Sequence, residues 1–265
     1  MNLQDTQYLL TQQYKDASNL NARIRLHDLF STNPYGIHRW MFDQFAMPEN
    51  CSLLELGCGP ATLWQDSLTR ISAGWRVTLT DFSPGMVTAA QQALAGHPNF
   101  TFEQVDAQAI PYPDASFDFV MAHYMLYHVP DRPRALAEIA RVLKPGGCFF
   151  AVTLGAHHIR EIFEIMREFD PSWALGHTNN AFTLENGEAQ IAPFFSSVEM
   201  RQYPDSLAIT DSDPLVAYIL SMSAMRDTKV TPQKLATLRA DIEGRLTRDG
   251  SIHVQKNSGM FVAVK

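Results

Sequence analysis

The sequence is poor in cysteine, in charge and in long apolar runs, and each shortage excludes a class of protein. Its 265 residues contain three cysteines, Cys51, Cys58 and Cys148, without the C-x-x-C spacing of a zinc or redox site or the pattern of a disulfide framework. We therefore expect reduced thiols. No run of about 18 consecutive apolar residues occurs, and the first residues lack the basic and apolar segments of a secretory signal. These shortages predict a cytoplasmic protein that does not span a membrane.

Basic residues are scarce as well. Charged side chains make up 18% of the chain, the formal net charge is −7, and Lys and Arg are scattered rather than clustered. Affinity for a phosphate backbone comes mainly from clustered basic side chains, so nucleic acid is a disfavoured partner. A local basic face on an acidic protein stays open as an alternative. Hydrophobic residues make up 46% of the chain, which is enough for a sizeable core.

Short apolar runs alternate with helix-length amphipathic stretches between residues 49 and 155. This alternation is typical of βαβ units and a parallel sheet. Ser83-Pro84 and Pro133 predict the starts of two intervening helices, and Lys144-Pro-Gly-Gly147 predicts a turn. The predicted strands, rich in β-branched and aromatic residues, are Ser52–Leu56, Arg76–Thr80, Thr101–Val105, Phe117–Ala122 and Cys148–Leu154.

The two flanks carry mainly helical patterns. Residues 6–45 predict two or three helices, so residues 1–48 are expected to form an N-terminal helical cap. After the core, helices are expected over Ile159–Phe169, Pro214–Met225 and Pro232–Leu246, and late strands over Val198–Tyr203 and Gly259–Val264. We expect these strands to form an antiparallel pair at the sheet edge. Residues 156–265 would thus supply helical lid insertions and the last strands.

A strand that ends in two glycines is the strongest local motif. In Leu53-Leu-Glu-Leu-Gly-Cys-Gly-Pro60 an apolar strand runs into Gly57-x-Gly59. Glycine suits such a bend because a ligand can approach the backbone closely and positive φ is allowed. The next strand ends in Asp81, about 20 residues on, where an acidic side chain of doubly wound folds accepts hydrogen bonds from a nucleotide ribose. A turn without a ligand and a helix-capping acid are the alternatives.

Four motifs in this order resemble the class I S-adenosylmethionine-dependent methyltransferases, in particular the methyltransferase type 11 family. They span about Ser52 to Thr153 and are Glu55-Leu-Gly-Cys-Gly59, Thr80-Asp-Phe-Ser-Pro-Gly-Met86, Val105-Asp-Ala-Gln-Ala-Ile-Pro-Tyr-Pro-Asp114 with Ser116-Phe-Asp118, and Leu143-Lys-Pro-Gly-Gly147. The resemblance implies a Rossmann-like, doubly wound, mostly parallel seven-stranded α/β sheet with helical N-terminal and C-terminal lid elements. It also implies S-adenosylmethionine as cofactor, bound by residues 49–155, and a small-molecule acceptor for a monomer or homodimer.

The resemblance assigns the glycine bend and Asp81 to the methionine and ribose parts of the cofactor. Gly57, Cys58 and Gly59 would line the methionine part, with Glu55 supporting this loop or the cofactor ammonium. Asp81 would hold the ribose. Many relatives have a third glycine where this chain has Ala61, and we expect the effect of that small side chain to be slight.

The same resemblance assigns an adenine site and a neighbour of the sulfonium. Phe82 and Met86 would pack on the adenine ring. Asp106 would accept from the adenine amino group, and the Ala107 amide would donate to the ring. His123, in the loop after the fourth strand, would lie beside the sulfonium.

Methyl transfer from a sulfonium requires no protonation of the leaving thioether, so positioning and electrostatics are the main demands on the protein. A hydroxyl or protonated amine acceptor would also use a base, for which the candidates are His123, His128, Tyr14 and Tyr8. Backbone hydrogen bonding for His128 and core packing for the tyrosines are the alternatives. Adjacent histidines such as His157-His158 seldom face one ion, so we expect no metal.

Other readings of the sequence remain as alternatives. A nicotinamide-dependent oxidoreductase is disfavoured because Thr62 stands at the sixth position of G-x-G-x-x-G. A methyltransferase acting on RNA or protein, and a non-catalytic S-adenosylmethionine-binding regulatory protein, are the remaining functional alternatives. Aromatic and methionine residues of the flanks are expected to form either an apolar acceptor pocket or ordinary core, namely Trp40, Trp173, Phe194, Phe195, Met222 and Met225.

Overall fold

The computed structural model describes residues 18–174, 181–222, 225 and 230–265. These residues contain a seven-stranded sheet in the order β3-β2-β1-β4-β5-β7-β6. The strands are β1 (Asn50–Leu56), β2 (Gly74–Asp81), β3 (Phe100–Gln104), β4 (Phe117–His123), β5 (Leu143–Leu154), β6 (Ser197–Ile209) and β7 (Ile252–Val264).

The strand order reverses between β1 and β4. From β1 the chain continues outward to β2 and then β3, and it returns to form β4 and β5 on the other side of β1. These five strands are parallel. β7 then runs antiparallel to both β5 and β6. The predicted doubly wound, mostly parallel sheet with an antiparallel pair at its edge is therefore confirmed. In such sheets ligands bind where the strand order reverses, at the carboxyl ends of the parallel strands.

Helices connect and cover these strands. Ser83 caps α4, its hydroxyl accepting from the Met86 amide, with Pro84 at the first position. Asp131 caps α5 in the same way: its side chain accepts from the Arg134 amide, and Pro133 is the second residue of the helix. The helices are α1 (Ser18–Phe30), α2 (Ile37–Asp43), α3 (Thr62–Gln65), α4 (Pro84–Ala93), α5 (Arg132–Val142), α6 (Arg160–Phe169), α7 (Gly187–Ile191), α8 (Ser212–Ser221) and α9 (Pro232–Asp249).

The last two strands are twice as long as the sequence pattern predicts. β6 and β7 each have 13 residues and pair along their full length. Only residues 258–264 of β7 lie beside β5. The first half of β7 therefore continues with β6 as a two-stranded ribbon beyond the carboxyl edge of the parallel strands. We call residues 203–209 and 252–258 the β6–β7 ribbon. Its polar residues interrupt the apolar pattern on which the strand prediction relied.

The sequence places a turn at Lys144-Pro-Gly-Gly147, between α5 and the next strand. This prediction is wrong, because β5 already begins at Leu143. Phe117 pairs with Leu143 and Phe119 with Cys148, so four residues of β5 face a single residue of β4. The proline and glycines thus form an irregular insertion within the strand.

Two apolar clusters cover the two faces of the sheet, and a third lies under the flanking helices. Leu54 belongs to the first cluster and Leu53 to the second, because successive side chains of a strand point to opposite faces. In the third, Leu26 of α1 packs with Leu207 and Val254 of the β6–β7 ribbon. This packing places α1 over the carboxyl edge of the sheet. Within the described residues, no helix combines the length and the apolar character needed to cross a bilayer.

Candidate functional site

A cavity of about 420 Å³ lies at the carboxyl edge of the sheet. The loops after β1, β2, β3 and β4 form one side of it, and α1, α2 and the β6–β7 ribbon form the other. Its size is typical of small-molecule sites. Tyr14 and Tyr8 lie outside the described residues. The other predicted site residues all line the cavity: Glu55, Gly57, Cys58, Gly59, Asp81, Phe82, Met86, Asp106, Ala107, His123 and His128.

The glycine bend after β1 lines the cavity and has a backbone conformation that favours glycine. Gly57 and Gly59 have φ angles of 72° and 55°, in the left-handed region. A Cβ atom on Gly57 would lie 2.8 Å from Cβ of Met125, closer than two carbon atoms can approach. Ala61 also has a left-handed φ of 62°. An alanine there carries a conformational cost of about 1 kcal/mol, which is larger than the slight effect expected from the sequence.

Asp81 ties the ends of β1 and β2 together. Its Oδ2 atom accepts from the Gly59 amide at 3.0 Å, and its Oδ1 atom accepts from the Ser83 amide at 2.8 Å. Burial raises the pKa of Asp81 to about 6, although both amides act to lower it. A carboxylate has about four lone-pair positions, so Asp81 can hold both amides and still accept from two hydroxyl groups.

Glu55 and His123 form a buried pair beneath the glycine bend. Glu55 Oε1 lies 2.8 Å from His123 Nδ1, and Glu55 Oε2 accepts from the indole N–H of Trp64. In the arrangement with an ionised Glu55 and an uncharged imidazole, Nδ1 carries the proton and Nε2 presents a lone pair. This Nε2 atom is buried and has no hydrogen-bond partner among the described residues. Phe45 stacks on the imidazole, with ring centres 6.1 Å apart.

The loop after β3 is held by its own polar side chains. Asp106 Oδ1 accepts from the Gln108 amide at 2.9 Å and from the Gln108 side chain at 3.0 Å. The Gln108 side-chain oxygen accepts in turn from the Asp131 amide, at the start of α5. Ala107, the residue between Asp106 and Gln108 in the sequence, is buried. Met86 of α4 is also buried, and both residues line the cavity. The loop is thus fixed before any ligand binds.

Cys58 and His128 have environments that bear on their chemistry. Burial, aided by the nearby carboxylates of Asp81 and Glu55, raises the pKa of the Cys58 thiol well above its usual range, which disfavours a nucleophilic thiolate. His128 ends a short 3-10 helix (Leu126–His128), and its ring packs edge-on against Tyr127. Among the described residues, no group of three or more His, Cys, Asp or Glu side chains is placed to hold a metal ion.

The six flank residues, for which an apolar acceptor pocket and ordinary core were the alternatives, do not contribute to this cavity. They belong to or pack against the three apolar clusters instead. The wall opposite the glycine bend includes polar side chains, which sequence reasoning missed because they lie far apart in the chain. That wall includes Arg23, His27, Tyr124, His158, Tyr203, Tyr218, Lys256 and Ser258.

Known proteins share this fold and these motifs. The methyltransferase type 11 family, described as a methyltransferase domain, matches residues 54–151. A malonyl-acyl-carrier-protein O-methyltransferase of Serratia marcescens is 33% identical over 121 residues, 44% of this chain and 44% of that protein. EEF1A lysine methyltransferase 4 of Mus musculus is 31% identical over 191 residues, 63% of this chain and 71% of that protein.

A solved structure extends the likeness in fold. The phosphoethanolamine N-methyltransferase 2 of Haemonchus contortus, in complex with S-adenosyl-L-methionine, has a TM-score of 0.61 at 19% identity and covers 100% of this chain and 60% of that one. The chain spans about half the length of the first curated relatives it matches. It belongs to the class I S-adenosylmethionine-dependent methyltransferases, in the methyltransferase type 11 family, and its cofactor is S-adenosylmethionine.

Proposed function

We propose that the protein transfers the methyl group of S-adenosylmethionine to a small-molecule acceptor inside the cavity described above. The observation that supports this most directly is that one cavity of about 420 Å³ is lined both by the four cofactor motif loops and by side chains of α1, α2 and the β6–β7 ribbon. Cofactor and acceptor can therefore meet without a second site. The cover supplied by α1 and α2 favours a small acceptor over a macromolecule.

The residues present fit the cofactor. Gly57, Cys58 and Gly59 line the cavity, so the methionine part can lie along their backbone. Asp81 keeps lone pairs for the ribose hydroxyls. Both oxygens of Glu55 are engaged by His123 and Trp64, which favours support of the loop over contact with the ammonium.

The adenine end of the site would lie between the loops after β2 and β3. Phe82 and Met86 line the cavity there and offer an apolar face to the ring. Asp106 and the Ala107 amide, on a loop already fixed by Gln108, would accept from and donate to the adenine edge. A preordered loop loses little conformational freedom on binding, which favours affinity.

His123 is the residue that we propose handles a proton of the acceptor. When bound, S-adenosylmethionine would supply the methyl group, and the thioether left after transfer needs no protonation. The protein must therefore orient the acceptor and, for a hydroxyl or ammonium nucleophile, remove its proton. With Nδ1 donating to Glu55, the lone pair of Nε2 is available for that proton. A buried nitrogen without a partner costs about 1–3 kcal/mol, which a donor on the acceptor would recover. His128, and Tyr14 from the segment before α1, are secondary candidates.

The remaining parts of the proposal concern organisation and partners. Residues 49–155 would form the cofactor-binding core, residues 1–48 the cap, and residues 156–265 the lid and last strands. The protein would act in the cytoplasm as a monomer or homodimer, away from membranes and nucleic acid. The net charge of −7 and the scattered basic residues support the exclusion of nucleic acid.

Transfer of label from methyl-tritiated S-adenosylmethionine tests this proposal. The purified protein is incubated with the labelled cofactor and a cell extract, and label is counted separately in small-molecule, protein and nucleic-acid fractions. Label in the small-molecule fraction, lost in Asp81→Ala, supports the proposal. Label in the protein or nucleic-acid fraction favours a macromolecular acceptor. Cofactor binding by calorimetry without transfer to any fraction favours a non-catalytic binding protein, and equal binding heats for native protein and Asp81→Ala contradict the cofactor placement.

A further inference from the structure

Four basic side chains line the half of the cavity that lies away from the cofactor motifs. Arg23 and His27 come from α1, His158 from the segment after β5, and Lys256 from the β6–β7 ribbon. The motif loops follow β1, β2 and β3, on one side of β4, whereas β5, β7 and β6 lie on its other side. The basic side chains therefore line the part of the cavity that is left for the acceptor.

Lys256 is held in place and still has donors to offer. It lies opposite Asp205 in the ribbon and pairs with it, and the two side chains are 9% and 1% exposed. Asp205 also accepts from the Ser31 hydroxyl and from the amides of Asn33 and Ser206. An ammonium has three N–H donors, and within the described residues Asp205 takes one. Two N–H groups of Lys256 remain for a ligand in the cavity it lines.

The two histidines are kept neutral by their surroundings. Burial, followed by the positive charge of Lys256, lowers the pKa of His158 to about 4. Burial, followed by Lys256, His158 and Arg23, lowers the pKa of His27 well below its usual range. His27 Nδ1 is buried and has no hydrogen-bond partner in the part of the chain that the structure describes. The His27 ring packs edge-on against Tyr218, 5.8 Å between centres, which fixes its orientation.

Two acidic side chains that the structure describes lie at this wall. Asp205 is already engaged by four groups, and Asp28, which also lines the cavity, is exposed to solvent. The phenols of Tyr203 and Tyr218 keep their protons, because burial raises the pKa of each to about 12. An apolar acceptor would offer no partner to His27 Nδ1 or to the two remaining N–H groups of Lys256, whereas an anion would accept hydrogen bonds from Lys256 and from a protonated His27.

We propose that Arg23, His27, His158 and Lys256 bind an oxyanion of the acceptor, so that the acceptor is an anionic small molecule carrying a carboxylate or a phosphate. The inference rests on the proposed methyltransferase function and adds the chemical class of the acceptor to it. An anion between the two histidines also stabilises their protonated forms, so binding takes up protons from solvent.

Binding of simple probes to the protein saturated with S-adenosylhomocysteine tests the inference. The probes are benzoate, its neutral analogue benzamide, and inorganic phosphate, each titrated to about 10 mM while calorimetry gives Kd and NMR follows the histidine ring protons. We expect benzoate or phosphate to bind at least about tenfold more tightly than benzamide. The resonances of His27 and His158 should then titrate at higher pH in the presence of the anion. Tighter binding of phosphate indicates a phosphate ester, and tighter binding of benzoate indicates a carboxylate.

Variants assign the effect to the cluster. Arg23→Gln should weaken anion binding at least about tenfold, whereas Arg25→Gln, on the exposed side of the same helix, should leave it unchanged. Because removing Lys256 alone would leave Asp205 buried without its cation, its charge is tested in the double variant Asp205→Asn with Lys256→Gln. The inference would be overturned if neither benzoate nor phosphate bound more tightly than benzamide, or if Kd for the anion were unaltered in Arg23→Gln. S-adenosylhomocysteine binding is measured separately, so its failure counts against the methyltransferase proposal and not against the anion site.

Discussion

Replacing Asp81 with asparagine should weaken cofactor binding and at the same time stabilise the ligand-free protein. The side chain is isosteric, so the change removes a charge and one acceptor while leaving the shape of the bend intact. Ribose hydroxyls donate best to an ionised carboxylate, and hydrogen bonds to a charged group contribute about 1.5–3 kcal/mol. We therefore expect Kd for S-adenosylmethionine to rise at least about tenfold.

The effect on stability follows from the raised pKa of Asp81. A change from the ordinary value of 3.8 to about 6 means that the ionised side chain costs the folded state about 3 kcal/mol at pH 8. Asparagine removes this cost but turns an N–H group toward one of the two amides, a loss of about 1–2 kcal/mol. The free energy of unfolding should therefore rise by about 1–2 kcal/mol at pH 8.

The sign of the pH dependence gives a second check. Because the folded-state pKa lies above the unfolded one, the folded protein binds more protons between these values, and native Asp81 becomes less destabilising as the pH falls through about 6. The advantage of Asp81→Asn should shrink by about 1.4 kcal/mol between pH 8 and pH 5. Affinity of the native protein for the cofactor should fall about tenfold between pH 7 and pH 5, as the carboxylate is protonated.

Urea unfolding at several pH values, together with calorimetric titration, measures both effects. Glu188→Gln is a suitable control, because Glu188 is an exposed carboxylate of α7 that does not line the cavity. A loss of stability at pH 8 in Asp81→Asn would refute the burial argument. An unchanged Kd would refute the placement of the ribose.

Four further substitutions test the bend and the buried pair. Ala61→Gly should relieve the left-handed alanine and raise the free energy of unfolding by about 1 kcal/mol, seen as a Tm increase of about 2–4 °C, and a decrease would contradict the argument. Gly57→Ala should lower that free energy by about 2–4 kcal/mol, because its Cβ meets Met125. Gly59→Ala, whose Cβ would lie 3.8 Å from Leu20, should lose only about 1 kcal/mol in the same urea assay, and equal losses would show that crowding is not the cause. His123→Gln should reduce label transfer at least about 100-fold, with little change in the Kd for S-adenosylmethionine, because the proton of the acceptor would lose its base. A transfer rate near that of the native protein would mean that the acceptor atom is already deprotonated and would disprove the role assigned to His123.

The sequence predicted the five parallel strands and the bends that follow them well because their signals are local. The glycine bend, Asp81 and the Ser83-Pro84 cap each depend on a few consecutive residues whose types are set by backbone geometry. The five parallel strands were predicted to within a few residues at their carboxyl ends, where the motifs lie.

The acceptor half could not be predicted in the same way, because its contacts join distant segments. Lys256 meets Asp205 across the ribbon, and His27 meets His158 from a helix more than a hundred residues earlier. The alternating pattern used to find β7 started only at Gly259, so the polar half that carries Lys256 was overlooked. The conformational cost at Ala61 was also missed, since residue type alone does not reveal a left-handed φ.

Because β6 and β7 extend past the sheet, substitutions in the β6–β7 ribbon and substitutions in the loops after the parallel strands affect different walls of the cavity. Substitutions in α1 or in the ribbon can reshape the acceptor chamber while the loops after β1, β2 and β3 keep their geometry. A shift of the β6–β7 pairing by one residue would turn the Lys256 side chain to the opposite face of the ribbon. The residues that now face away from the cavity would then face into it. Under the proposed function, changes in this small, peripheral part of the chain would alter which acceptor fits, while the loops proposed to bind the methyl donor stay unchanged.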